Sequence, residues 1–154
     1  MPQAKRKRRS YSVRNSPIHG RGVFALVYIP KGRRIIEYKG ELITDDEADR
    51  RYADVHEHSP HTMLFSLENN LVIDATRRGN SARWINHSCA PNCQVEEEGT
   101  RIFIDARRDI HPEEELTYDY NLQLGERHTR AAKRAHACFC GTRRCRGTML
   151  GTRI

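Results

Sequence analysis

At 154 residues the chain is long enough for one domain with a single buried core, and its 37% hydrophobic and 31% charged residues make that core modest and the surface wet. The formal net charge is +7, of which Lys5-Arg6-Lys7-Arg8-Arg9 supplies five, so basicity belongs mainly to a terminal arm. No apolar stretch approaches the roughly 18–20 residues of a membrane helix, and no hydrophobic segment follows the charges as a secretory signal requires, which argues against membrane and secreted classes.

Residues 1–10 read as a disordered arm: a nuclear-localisation stretch, a weak nucleic-acid contact or a solubilising end. Tyr11–Asn15, Val23–Ile29 and Arg34–Tyr38 are strand-like runs, punctuated by His19-Gly20-Arg21-Gly22 and Pro30-Lys31-Gly32. Two glycines around Arg21 let the backbone approach a ligand. Thr44-Asp45-Asp46-Glu47 is a capping-box sequence, and Ala48, Tyr52 and Val55 follow at helical spacing, so a short amphipathic helix is expected to about His56. Thr62–Leu67 and Leu71–Ala75 flank Glu68-Asn69-Asn70 as a hairpin, and Gln94–Glu98 pairs with Arg101–Ala106 around Gly99. Glu115–Asn121 reads as a strand and Glu126–Ala137 as a helix. The fold class is therefore mainly β with short helices.

Five cysteines, an odd number, point to an intracellular, reduced protein rather than a disulfide framework. Three of them form Cys138-Phe139-Cys140-Gly141-Thr142-Arg143-Arg144-Cys145, a C-x-C-x4-C arrangement that can wrap one soft divalent cation. Tetrahedral zinc needs a fourth ligand, which Cys89, Cys93 or a histidine must supply. Arg143, Arg144 and Arg146 favour the thiolate forms.

The string Arg83-Trp84-Ile85-Asn86-His87-Ser88-Cys89-Ala90-Pro91-Asn92-Cys93 is dense in hydrogen-bonding and turn-forming residues and follows the apolar run at Leu71–Ile73. A polar cluster emerging from a core is a candidate site. Glu115-Leu116-Thr117-Tyr118-Asp119-Tyr120 places two tyrosines on one face of a strand.

In this order, HGRGVFA at 19–25, EYKGELI at 37–43, GNSARWINHSCAPNC at 79–93, EELTYDY at 114–120 and CFCGTRRCRGTM at 138–149 resemble the SET domain with its post-SET tail. The resemblance implies an arm over 1–10, a SET domain over 11–124 and a post-SET helix and tail over 125–154. It implies a β-clip-like fold of small sheets with a pseudoknot core and a C-terminal zinc knot. It further implies a protein-lysine methyltransferase using S-adenosylmethionine, with one structural zinc held by Cys89, Cys138, Cys140 and Cys145 and Cys93 left free. The cofactor would contact His19, Arg21, Gly22, Met63, Arg83, Asn86 and His87. Tyr120 would sit at the reaction centre, with Tyr118 and Tyr38 lining the lysine channel. Met63 departs from the family, which often has an aromatic residue there. The small size is similar to stand-alone bacterial members, which would place the protein in the cytoplasm; a eukaryotic or host-directed member would act in the nucleus, on chromatin. The partner is a protein or peptide bearing the target lysine. The competing readings are a non-catalytic zinc module that binds nucleic acid, and an inactive scaffold that binds peptides.

Overall fold

Turns rather than long elements shape this chain. The computed structural model describes residues 9–52, 63–123 and 127–152. Within them lie strands β1 (Tyr11–Asn15), β2 (Arg21–Ala25), β3 (Arg34–Tyr38) and β4 (Glu41–Thr44), helix α1 (Asp45–Arg51), and strands β5 (Leu64–Ser66) and β6 (Leu71–Asp74). A single 3-10 turn (Ser81–Trp84) leads to β7 (Asn86–His87), β8 (Cys93–Glu98), β9 (Arg101–Ala106), β10 (Thr117–Tyr118) and helix α2 (Arg130–Ala135). The strands form four small sheets: β1-β2, β3-β9-β8, β4-β6-β5 and β7-β10.

Both expected hairpins are present. Asn69 and Asn70 sit at φ 61° and 60°, the left-handed region that asparagine tolerates, and reverse the chain between β5 and β6. Gly99, at φ 62°, opens the two-residue loop between β8 and β9. β9 is the middle strand of its sheet, and its Ile102 and Ile104 face Tyr38 and Ile36 of β3 across the ladder. They join Val23, Ile73, Ile85 and Leu116 in the main core.

Several boundaries differ from the sequence reading. Instead of running Val23–Ile29, β2 ends at Ala25. The chain then leaves β1, exposes Leu26, Val27 and Tyr28, and makes a separate two-way bridge between Ile29 and Ile110. β4 is an addition: Gly40 precedes it, Ile43 is buried and Leu42 exposed. In α1 the Thr44 hydroxyl accepts from the Glu47 N–H, but the Glu47 carboxylate turns forward to Arg50 and Arg51, so one half of the capping box forms. Arg51 and Tyr52 dock this helix on buried Asp74 at the end of β6. The expected continuation to His56, the hairpin's first residue Thr62 and most of the basic arm lie outside the described residues. α2 is confined to Arg130–Ala135, with Thr129 capping it through the Ala132 N–H; position 126, where the helix was expected to start, is likewise outside them.

The strand expected over Glu115–Asn121 is reduced to Thr117–Tyr118, parallel to Asn86–His87, preceded by a separate antiparallel bridge between Glu115 and Phe24 of β2. Side chains replace the ladder on either side. The Asn92 amide donates to the Glu115 carbonyl and accepts the Thr117 N–H, and the His87 ring accepts the Tyr120 N–H. These lacings tie the Asn86–His87 segment to the tyrosine segment and carry the candidate site.

Candidate active site

Buried Asn86 spends its side chain on its own protein. Its NH2 group lies 3.1 Å from the carbonyl oxygen of His19, 2.9 Å from that of Arg21 and 2.9 Å from Glu115 Oε2. The Ser16 hydroxyl donates to the same carboxylate at 2.7 Å. A Cβ at Gly22 would meet Glu115 Oε2 at 2.6 Å, so the absent side chain there makes room for Glu115. Asn86 and Glu115 thereby hold the turn at residues 16–22 against β7, at the edge of a cleft.

His87 is buried, and Nδ1 accepts the Tyr120 N–H at 3.0 Å. Nδ1 therefore carries no proton, the ring is neutral, and Nε2–H points at Cys89 Sγ, 3.4 Å away. Burial pulls the His87 pKa down to about 4, outweighing the attraction of Asp119. The Asp119 carboxylate lies 3.6 Å from Nδ1, yet its charge is answered by the Arg146 guanidinium at 2.7 and 3.0 Å. The Tyr120 hydroxyl donates to the Ile85 carbonyl.

Two clefts meet on Tyr120. The first, of about 150 Å³, is lined by Ile18, His19, Asn86, His87 and Tyr120 together with Ala137, Cys138, Phe139 and Met149 of the tail. The second, of about 290 Å³, is lined by Leu64, Phe65, Ser66, Tyr118 and Tyr120 and by residues 121–123. The Tyr118 and Tyr120 rings are 4.8 Å apart, and Phe65 connects Tyr118 to Tyr38 at 6.4 and 5.4 Å. Burial raises the pKa of Tyr118 and of Tyr38, so both phenols stay protonated. Tyr38 lines neither cleft around Tyr120. It borders a third, of about 320 Å³, with Glu37, Ile73, Arg78 and Arg101, and its buried hydroxyl has no partner among the described residues.

His19, Asn86, His87, Tyr118 and Tyr120 thus come together, whereas Arg21, Gly22, Met63 and Arg83 line neither cleft around Tyr120. Arg21 and Arg83 rest on the Trp84 ring, 5.6 and 4.8 Å from its centre. Met63 packs on the main core and accepts the Ala75 N–H. Sequence reasoning missed Glu115, Phe65 and Phe139. Phe139 had a signal in its position between two metal-type cysteines.

The sulfur atoms of Cys89, Cys138, Cys140 and Cys145 all lie within 4.8 Å of one another. A tetrahedral zinc with Zn–S of about 2.3 Å spaces its sulfurs ~3.8 Å apart, and Cys89 and Cys138 are 3.7 Å apart. Backbone N–H groups of Cys140, Arg146 and Gly147 point at Cys138, Cys89 and Cys145, as thiolate ligands require. Burial pushes the Cys140 thiol up, but the Thr142 hydroxyl and neighbouring N–H groups more than offset it and bring it to about 6. These residues fit a zinc ion. Cys93 is buried elsewhere, and burial pushes its thiol up to about 12.

Residues 20–121 match the SET domain family. The chain is 41% identical over 150 residues to a "Histone-lysine N-methyltransferase, H3 lysine-4 specific" of Chaetomium globosum, covering 94% of this chain and 14% of that protein. It is 42% identical over 135 residues to "Histone-lysine N-methyltransferase trithorax" of Drosophila virilis, covering 85% of this chain and 3% of that protein. Among solved structures it is similar to ctPRC2 in an autoinhibited conformation bound to S-adenosylmethionine, with 33% identity and a TM-score of 0.66 over 73% of this chain and 15% of that one. The Chaetomium thermophilum polycomb repressive complex 2 gives 31% identity and a TM-score of 0.67, over 76% of this chain and 16% of that one. The chain thus spans no more than 14% of the length of either curated relative. Among the described residues, no helix is long and apolar enough to cross a membrane.

Proposed function

The chain belongs to the SET domain family, and from that premise we propose that it transfers a methyl group from S-adenosylmethionine to the side-chain amine of a lysine in a protein. The observation that carries this reading is the meeting of two clefts on Tyr120. Methyl transfer to an amine is an in-line displacement, in which donor and acceptor approach from opposite sides and alignment supplies much of the rate. S-adenosylmethionine, when bound, supplies the methyl group on a positively charged sulfur. His19, Asn86, His87 and Phe139 would hold it in the first cleft.

The second cleft suits a lysine side chain. A free lysine has a pKa of about 10.4, and apolar walls such as Leu64, Phe65 and Tyr118 disfavour its ammonium form. Tyr118, protonated and uncharged, can orient the neutral amine by hydrogen bonding. Tyr120, anchored by its hydroxyl on Ile85, gives the boundary between the clefts a fixed edge. Zinc, held by the four cysteines, is structural, because it ties the tail carrying Phe139 to the string carrying His87.

The substrate of this proposal is a histone-like basic protein, in keeping with the names of the relatives, and chromatin is where such an enzyme works. The main product is monomethyl-lysine, because an ordered Tyr118 hydroxyl opposes the amine rotation that a second transfer needs. Residues 11–124 serve as the catalytic domain and 125–154 as the post-SET tail.

Incubating the purified chain with labelled S-adenosylmethionine and histones, followed by mass spectrometry, should find methylated lysines. Tyr120→Phe should lower turnover about 100-fold, roughly 2.7 kcal/mol of barrier. Absence of label from histones and from other basic proteins would overturn the reading.

Nucleic-acid contact is a second reading with an observation of its own. Among the described residues, exposed Arg130, Lys133, Arg134, Arg143 and Arg144 make no ion pair, whereas Arg14, Arg34, Arg51 and Arg101 are paired. A gel shift that weakens steeply with salt would support it.

A further inference from the structure

Tyr120 is held at both ends by one short stretch of chain. Its N–H is taken by the His87 ring and its hydroxyl by the carbonyl of Ile85, two residues earlier. The other face of the same imidazole reaches the metal centre, where Nε2 lies 3.4 Å from Cys89 Sγ. The ring therefore stands between a metal ligand and the residue that divides the two clefts. The cysteine loop reaches that residue's neighbour as well. Arg146 donates its N–H to Cys89 Sγ and grips Asp119 with its guanidinium.

We propose that His87 is a positioning residue that couples the metal centre to Tyr120, donating from Nε2 to the Cys89 thiolate and accepting the Tyr120 N–H at Nδ1. A metal-bound thiolate is a strong acceptor, and its hydrogen bond fixes both the tautomer and the ring orientation. The orientation in turn fixes where the Tyr120 backbone sits, and through the Ile85 bond where its ring sits. Loss of metal frees Cys89 to rotate, lets the ring turn, and releases Tyr120 although no metal touches it. This proposal rests on the reading of Tyr120 as the residue at the reaction centre.

Two substitutions separate the two links. In His87→Asn the side-chain oxygen lies near the place of Nδ1, keeping an acceptor for the Tyr120 N–H and losing the donor to Cys89. In His87→Gln the amide nitrogen lies near the place of Nε2, keeping the donor and losing the acceptor. Release of zinc to a chelator should be about 10–100-fold faster in His87→Asn than in the parent, and within about threefold of the parent in His87→Gln. Turnover should fall further in His87→Gln. Equal zinc release in both variants would overturn the coupling. So would parental zinc release in both, which would leave the imidazole without a link to the metal centre.

Should either variant fail to fold, the unmutated protein decides. With cadmium-113 in the cysteine site, nitrogen NMR should show an Nε2–H tautomer for His87, and the Nε2 proton should couple to the metal across the hydrogen bond. A doubly protonated ring, an Nδ1–H tautomer or no coupling would refute the proposal. If these signatures are found but no protein is methylated, the enzymatic reading fails and the link stands.

Discussion

Gly22 and Glu115 divide one small volume: a Cβ on the glycine would lie 2.6 Å from the carboxylate oxygen that Asn86 holds. The glycine in β2 is thus a steric condition for the bond that joins the first turn of the chain to the tyrosine segment. Gly22→Ala should cost about 1–3 kcal/mol of stability, as overpacking does, and should weaken cofactor binding by moving His19. A chemical denaturation midpoint unchanged from the parent would contradict this.

Tyr38 carries a buried hydroxyl with no partner among the described residues. An unsatisfied buried polar group costs about 1–3 kcal/mol, so Tyr38→Phe should raise stability, by ~1 kcal/mol. A fall in melting temperature would show that the hydroxyl finds a partner in solution.

Tyr118 should govern how many methyl groups are added. Removing its hydroxyl in Tyr118→Phe gives a methylated amine room to turn, and a barrier change of about 1.4 kcal/mol already alters the second transfer tenfold. Time-resolved mass spectra should show mainly monomethyl-lysine for the parent and a shift to dimethyl or trimethyl product for the variant. Early trimethylation by the parent would sink the idea.

Metal content should discriminate among the five cysteines. Cys93→Ala should keep one zinc per chain, because Cys93 lies outside the cluster, and Cys140→Ser should lose it. Chelation of the parent should abolish turnover and loosen the tail. Elemental analysis and circular dichroism check both.

Asp74 gives the acid limb of stability a specific source. Burial alone would raise its pKa, but hydrogen bonds from Thr76, Tyr52 and Arg51 outweigh it and hold the carboxylate below its usual range. As pH falls the unfolded chain therefore takes up this proton first. The carboxylate's contribution is complete above the unfolded value near pH 4 and drains away as pH drops through the folded one. Asp74→Asn should cost about 2 kcal/mol at neutral pH and flatten the loss below pH ~4. Urea midpoints across a pH series would reveal identical acid slopes if Asp74 played no such part.

Much of this was legible in the residues. β1 and β3 have the expected boundaries, both hairpins turn where asparagine and glycine permit positive φ, and the cysteine spacing carries into a four-sulfur cluster. What was not legible depends on contacts between distant segments. The Tyr118 strand is two residues long because the chain before it turns to β2, where the Leu116 N–H donates to the Val23 carbonyl, and the side chains of Asn92 and His87 take other backbone groups on either side. Asn86 turns inward because Glu115, 29 residues later, and two carbonyls of the His19 turn are waiting for it. Periodicity and composition carry no information about such partners.

The first cleft draws its walls from segments far apart in sequence, from Ile18 to Met149. Contacts so far apart in sequence are slow to form, because the loops between them must be closed before any contact rewards the closure. The strand body supplies one wall and the tail the other, so the first cleft should take shape later in folding than the sheets that border it.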